Sequence, residues 1–218
     1  MKFFTKEWYE EAQIRSFLTF YETKEEWEDN IAWYESEGLD FKEICKNNLE
    51  YKRADLLKYL PAFFHPYIQD GTLNSQFPSE ELRKMADQWR SEYDERTKAN
   101  GMTYRSYYDS IKSSLPESVI QLFEKSLHDA RVTSIETPSK DIFILTLDCR
   151  GGYHYLTDVK LTFTGVEKLQ PENLSPGSIW LYDEVYLTKT GFELHVLLDG
   201  PLMEFTLSAE NVTIDVIL

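Results

Sequence analysis

The chain has few cysteines and no long apolar run, and each shortage excludes a class of protein. Its two cysteines, Cys45 and Cys149, lie far apart and form no CxxC pair, so no disulfide framework is predicted. No stretch reaches the roughly 18 uncharged apolar residues of a membrane helix. The opening MKFFTKEWYEEAQ has too short an apolar run for a signal peptide. We therefore expect a cytoplasmic protein that has no contact with a membrane.

Positive charge is also scarce. The chain carries 38 acidic and 23 basic residues, a formal net charge of −15, and residues 1–130 and 131–218 are both acidic. Such a surface repels nucleic-acid phosphates and anionic lipids. It attracts basic proteins and speeds the encounter with them. We therefore expect no nucleic-acid partner and regard a basic protein as the candidate partner. The alternative is that the charge serves only solubility.

Signatures of common enzymes are missing. The sequence contains no GxSxG elbow, no GxxxxGK[ST] phosphate loop and no GxGxxG fingerprint. No cofactor is predicted, and an enzyme is not favoured. The adjacent carboxylates Asp183 and Glu184, within SIWLYDEVYLTK, are interpreted as solvated edge charges that discourage pairing between sheets.

Helical periodicity dominates residues 1–130. The clearest helix lies in PSEELRKMADQWRSEYDERTKANG, with Ser79 as its N-cap. Asp40, in a capping-box pattern, opens an earlier helix. Helix ends are predicted at three glycines: Gly38, Gly71 and Gly101.

After residue 130 the apolar residues alternate, which is typical of strands. Seven runs are predicted as strands: ARVTSIET, DIFILTLD, DVKLTFTG, SIWLYDEVYLTK, GFELHVLLD, LMEFTLSA and NVTIDVIL. No βαβ alternation is present, so the sheet should be antiparallel. The prediction is an α+β protein with two domains, a helical domain at 1–130 and an antiparallel β domain at 131–218. The helical half should pack on the β half, which forms a sandwich or a partly open barrel.

His128 and Asp129 stand where the periodicity changes, and they are the first candidates for a site. A metal ion would need further ligands, and His154 and His195 are the candidates. The alternative is a structural joint. A histidine at a helix C-terminus stabilises the last carbonyls, and an aspartate can accept backbone hydrogen bonds where the chain turns. This alternative is favoured over a metal or acid/base site.

Four stretches together resemble a bacterial family known only as a domain of unknown function, number 4085. They are MKFFTKEWYEEAQ, DGTLNS, SLHDARVTSIE and YDEVYLTKTGFELHVLLDGPLMEFTLSAENVTID. The resemblance spans nearly the whole chain and implies no catalytic or binding residue. HDARVTSIE and FELHVLL are also similar to small β domains found among bacterial immunity-type and other uncharacterised proteins.

Three functions remain open. The first is a non-enzymatic module that binds a basic protein, such as a toxin or nuclease in an immunity-like pairing, through acidic and aromatic side chains. The second is a structural scaffold that forms a homodimer through an exposed sheet edge. The third is a metal-dependent hydrolase that uses His128, Asp129 and either His154 or His195. We rank them in this order.

Overall fold

The computed structural model describes residues 1–170 and 174–217. Within these residues six α-helices precede eight β-strands. The helices are α1 (Lys6–Phe17), α2 (Lys24–Ser36), α3 (Phe41–Tyr59), α4 (His65–Gln69), α5 (Glu80–Ile111) and α6 (Glu117–Glu124). The strands are β1 (Arg131–Ser139), β2 (Ile142–Asp148), β3 (Asp158–Thr164), β4 (Lys168–Gln170), β5 (Ile179–Leu187), β6 (Phe192–Asp199), β7 (Met203–Ala209) and β8 (Asn211–Ile217). The predicted α+β class is confirmed.

Local capping chemistry sets several helix ends as predicted. The Ser79 hydroxyl accepts a hydrogen bond from the Leu82 N–H (3.1 Å), and the Asp40 carboxylate accepts one from the Glu43 N–H (3.0 Å). Gly38 follows α2 with φ +75°, a left-handed conformation that favours glycine over other residues.

The predicted helix end at Gly101 is wrong. Helix α5 runs for 32 residues from Glu80 to Ile111 and passes through Gly101 without a break. A glycine inside a helix costs about 1 kcal/mol relative to alanine, which the packing of a long helix can offset. A Cβ atom added at Gly101 would meet nothing within 4 Å, so open space lies beside the helix at this position.

The strands form one antiparallel sheet with the order β4-β7-β6-β5-β1-β2-β3-β8, and it is not closed into a barrel. Phe143 on β2 packs against Phe205 on β7 with ring centroids 5.8 Å apart, although these strands are not neighbours. The sheet therefore bends around a shared core. Strand β4 was not predicted, since three residues are too few to show alternation. Leu218, the last residue of the predicted strand NVTIDVIL, lies outside the described residues.

Two compact units share the chain: Met1–Lys6 together with Asn100–Leu218, and Glu7–Ala99. In the first unit, Tyr108 of α5 and Val119 and Leu122 of α6 join the core of the sheet. The second unit has its own core of twelve buried residues, among them Phe64 and Trp89. Secondary structure changes type near residue 130, whereas the units divide near residue 100. The predicted domain boundary at residue 130 stays a prediction.

Within the described residues, none of the helices combines the length and the hydrophobicity needed to cross a membrane.

Candidate functional site at the open edge of strand β5

In the described residues, one side of strand β5 pairs along its whole length with β6, whereas the other side has a strand neighbour at one end only. On the other side it pairs with β1 at a single register position, Arg131 with Ile179. The Trp180 N–H donates to the Ala130 carbonyl, and the Asp129 N–H donates to the Trp180 carbonyl, each at 2.8 Å. At Asp129 the backbone adopts φ +68° and the neighbouring chain leaves the strand. In the described part of the chain no strand flanks β5 on this side beyond Trp180.

The backbone of β5 presents hydrogen-bonding groups along this open edge. The Val185 N–H points away from β6 and donates to the Tyr104 hydroxyl (2.9 Å). In an antiparallel pair the orientation repeats every second residue, so the N–H and C=O of Asp183 point to the same edge. A bulge lies between Trp180 and Tyr182, directly before this segment. In residues 1–170 and 174–217, no group outside the β5–β6 pair bonds to the Asp183 backbone.

A pocket of about 520 Å³ lies against this edge. All of its lining residues belong to the unit formed by Met1–Lys6 and Asn100–Leu218. Helix α5, helix α6, the connection that follows α6, strand β5 and the N-terminal segment all contribute to the wall. The lining residues are Phe4, Gly101, Tyr104, Arg105, Tyr108, Phe123, Glu124, Ser126, His128, Leu181, Tyr182 and Asp183. We call this cavity the β5 pocket.

Asp183 is the carboxylate of the β5 pocket that sits on the strand itself. Its Oδ2 accepts a hydrogen bond from Trp180 Nε1 (2.7 Å), and in the described residues its Oδ1 has no hydrogen-bond partner. Burial raises the pKa of Asp183 to about 6, and the negative charge of Glu184 adds to this effect. The hydrogen bond from Trp180 and the proximity of His128 act in the opposite direction.

The other two charged side chains of the β5 pocket have partners of opposite sign. The Arg105 guanidinium lies 3.2 Å from a carboxylate oxygen of Asp109, one helical turn away. Glu124 pairs with the Lys112 ammonium group. Apart from the nearby His128, Asp183 therefore has no cationic partner among the described residues, unlike the lining carboxylate Glu124.

Aromatic rings form the apolar part of the wall. The Phe4 ring lies 5.3 Å from the Tyr104 ring and 5.8 Å from the Tyr182 ring, measured between centroids. Burial raises the pKa of the Tyr104 phenol well above its usual range, and the phenol oxygen accepts the hydrogen bond from the Val185 N–H. The wall thus combines ring faces with the carboxylates of Asp183 and Glu124.

Glu184 points to the face of β5 opposite to that of Asp183, and it holds the backbone of Phe4 in place. Its side chain is fully buried, and its two oxygens accept hydrogen bonds from the N–H groups of Lys2, Phe3 and Phe4 at 2.8, 2.7 and 2.6 Å. The Tyr186 hydroxyl donates to the same carboxylate. The interpretation of Glu184 as a solvated edge charge is wrong. A buried carboxylate needs such donors, and the N-terminal segment supplies them from about 180 residues away.

His128 and Asp129 lie where the chain leaves the β5 edge. His128 Nδ1 is 3.1 Å from Asp129 Oδ2 but is buried and forms no hydrogen bond within the described chain. The imidazole packs edge-on against the Tyr182 ring, with centroids 5.3 Å apart, and lines the β5 pocket. Asp129 supplies the left-handed residue of the turn. The structure thus places both residues at the joint and one of them also in the pocket.

The remaining predicted site residues lie elsewhere. His154 is exposed in the connection between β2 and β3. His195 Nε2 lies 2.6 Å from Glu193 Oε1, and the opposite oxygen of Glu193 accepts a hydrogen bond from Ser208 Oγ (3.0 Å). Across residues 1–170 and 174–217, no group of three or more His, Cys, Asp or Glu side chains is arranged to hold a metal ion. Of the four candidate residues, the structure brings together His128 and Asp129, and His154 and His195 lie elsewhere.

Sequence reasoning did not assign Tyr104 or Asp183 to a site, although these residues define the open edge. Asp183 was noticed as one of two adjacent carboxylates, but the alternation of apolar residues did not indicate which of the two side chains points toward a pocket. The bulge before it is the physical cause, because an extra residue changes the side to which the following side chains point.

Comparison with known proteins identifies a family and no function. None of the curated proteins matches the chain. The family model described as "Protein of unknown function (DUF4085)" matches residues 3–209 of the 218, which agrees with the resemblance noted in the sequence. The chain therefore belongs to this family of proteins of unknown function.

Proposed function

We propose that this protein is a non-enzymatic binding module that recognises an extended segment of another protein by adding it as a strand to the open edge of β5. The observation that carries the proposal is the edge itself. Strand β5 continues from Trp180 to Leu187 without a second strand neighbour in the described residues, and the β5 pocket of about 520 Å³ lies beside it.

Backbone pairing supplies the physical reason for binding. An unpaired strand edge offers N–H and C=O groups that a second chain can satisfy, and pockets along the edge select alternate side chains. The Val185 N–H already donates to the Tyr104 hydroxyl, so backbone pairing with a bound segment is limited to the neighbourhood of Leu181 and Asp183. Such a short contact favours a reversible complex.

Charge favours a basic partner. The net charge of −15 attracts a positively charged protein over distances of about 10 Å at 0.1 M salt and raises the rate of encounter. A basic toxin or nuclease in an immunity-like pairing has the required charge. The complex should dissociate more readily as the salt concentration rises.

The test is selection of linear peptides from a random display library on the immobilised protein. Gly101→Trp projects a large ring from α5 into the β5 pocket, and Gly101→Ala is the matched control that leaves the pocket open. Selected peptides should bind the parent and Gly101→Ala alike and lose at least tenfold in affinity on Gly101→Trp. Failure to select any peptide, or equal binding to Gly101→Trp, would overturn the proposal.

A scan of the selected peptide tests the mode of binding. Methylating one backbone nitrogen at a time removes single hydrogen-bond donors without changing the protein. Strand addition predicts loss of binding at alternate positions, because successive N–H groups of a strand point to opposite sides. An equal loss at every position, or at none, contradicts strand addition.

A homodimer is the second candidate, favoured by the edge strand β8. Val216 and Ile217 on this strand are 49% and 40% exposed, so a second copy could cover them. Sedimentation equilibrium of the parent and of Val216→Lys distinguishes the cases. A dimer that Val216→Lys dissociates supports this candidate, and a monomer at all working concentrations excludes it.

A further inference from the structure

Resting on the proposed function, we infer that the β5 pocket receives a lysine or arginine side chain of the bound segment and pairs it with Asp183. The proposed function says that an extended segment binds. The further inference states which side chain the segment must carry and which atom recognises it.

The charges of the pocket lead to this assignment. Arg105 and Glu124 each form an ion pair, with Asp109 and Lys112 respectively. Asp183 keeps one oxygen, Oδ1, without a hydrogen-bond partner in the described residues. A cationic side chain entering along the β5 edge would supply both the missing donor and the missing positive charge.

The aromatic wall suits the same side chain. The Phe4 ring packs against those of Tyr104 and Tyr182, with centroids 5.3 and 5.8 Å away, and all three residues line the β5 pocket with Asp183. Lysine and arginine have apolar stems that pack on such rings, and their charged ends are attracted to ring faces within about 6 Å.

Other side chains fit less well. An acidic side chain would meet the Asp183 carboxylate and the net charge of −15. An apolar side chain would cover Asp183 Oδ1 without offering a donor, and burying an unpaired charged group is unfavourable. A neutral polar side chain could bond Oδ1 but would leave its charge uncompensated.

The inference includes a dependence on pH. Binding of the cation requires ionised Asp183, whose pKa is raised to about 6, so the ionised fraction falls roughly tenfold per pH unit well below that value. Affinity for the cationic segment should therefore fall between pH 7.5 and pH 5. The charged and titratable groups around Asp183 are Glu184 and Tyr182 on its own strand, His128 in the connection, Glu124 on α6, and Tyr104, Arg105 and Tyr108 on α5.

The experiment uses pools of acetylated, amidated heptapeptides with a fixed central residue and random neighbours. The central residue is Lys, Arg, norleucine or Glu, and a fifth pool carries its fixed Lys at the last position as a control for non-specific charge attraction. The 218-residue protein on beads captures each pool at pH 7.5, and mass spectrometry measures the retained fraction.

The Lys and Arg pools should be retained at least tenfold more than the norleucine, Glu and end-Lys pools. Asp183→Asn keeps an acceptor for Trp180 Nε1 but removes the charge, and it should abolish this preference. If this variant does not fold, the parent at pH 5 is the second test. The Lys preference should fall about tenfold there, while norleucine retention stays constant.

The outcomes separate the two proposals. Equal retention of the Lys and norleucine pools, lost on Gly101→Trp, supports strand addition and overturns the cation inference. Retention of no pool overturns both. If free butylamine displaced retained peptides as well as the Lys pool does, the pocket would be a site for a small amine. The proposal that a peptide occupies it would then be overturned.

Discussion

Two carboxylate–histidine neighbourhoods on adjacent strands of this protein have opposite surroundings. On β6, Glu193 is hydrogen-bonded on both oxygens, by His195 at 2.6 Å on one and by Ser208 at 3.0 Å on the other, where the Lys168 ammonium also lies at 3.3 Å. On β5, Asp183 lies near His128, and its single hydrogen bond in the described residues comes from Trp180.

The pKa values follow the number of donors. Partial burial alone would raise the pKa of Glu193, but the hydrogen bonds from His195, Ser208 and Lys168 hold it below its usual range. Burial of Asp183 is opposed by fewer donors, and its pKa rises to about 6. A carboxylate whose bonds are all made within the fold serves structure. One that keeps an unpaired oxygen in a pocket is available to a ligand.

The largest effect is expected at Glu184, the carboxylate with the most donors. Glu184→Gln replaces an acceptor oxygen by an NH₂ group that faces the N–H groups of residues 2–4. Hydrogen bonds to charged groups contribute about 1.5–3 kcal/mol each, so the free energy of unfolding should fall by about 3 kcal/mol. Urea denaturation measures this change.

The matched control is the exposed strand residue Glu136, for which Glu136→Gln should change stability by less than about 0.5 kcal/mol. Equal stability of the two variants would contradict the role assigned to the Glu184 carboxylate.

Asp183→Asn should stabilise the protein, in contrast to Glu184→Gln. The folded-state pKa of about 6 lies above the usual value for aspartate, so the folded protein loses stability as pH rises from about 4 through 6. Asparagine avoids this loss. We expect the variant to be more stable by about 1–2 kcal/mol at pH 7.5 and equal to the parent at pH 4. Denaturation at both pH values measures this difference in stability. A variant less stable than the parent at pH 7.5 would refute the contrast between Asp183 and Glu184.

Glu193→Gln should show the reverse dependence on pH. The folded-state pKa of Glu193 is lowered, so its stabilising contribution is present above the usual glutamate pKa and is lost as pH falls through the folded value. A loss of about 1 kcal/mol is expected at pH 7, shrinking below about pH 4. A loss that stays constant with pH would show that the charge of Glu193 is not responsible.

The smallest effect is expected at Gly101. Gly101→Ala should raise the free energy of unfolding by about 0.5–1 kcal/mol, since alanine favours the helix and its Cβ meets no atom. Thermal unfolding measures the gain. A decrease would mean that the space beside α5 is filled in solution, and it would also disqualify Gly101→Ala as the control for the pocket.

Local rules in the sequence predicted most of the fold. Alternation located seven of the eight strands, and Ser79 and Asp40 cap helices where capping rules place them. The rule failed at Gly101, because a propensity of about 1 kcal/mol is weaker than the packing of a 32-residue helix.

The candidate site was harder to predict because its features depend on distant partners. Glu184 is buried by residues 2–4, and the Val185 N–H bonds to Tyr104 from helix α5. Neither relation leaves a local pattern. His128 and Asp129 were noticed through the change of periodicity, which marks the place where β1 begins and the edge of β5 opens.

The central claim is that the β5 edge at Asp183 is open and receives a bound segment. Amide hydrogen exchange followed by NMR, with and without the Lys pool, tests it most directly. In the free protein the Asp183 N–H should exchange much faster than that of Glu184, which the strand register pairs with His195. Addition of the Lys pool should slow exchange at Asp183 and leave Glu184 unchanged. An Asp183 amide as protected as Glu184 in the free protein would show that the β5 edge is closed, and the account would fail.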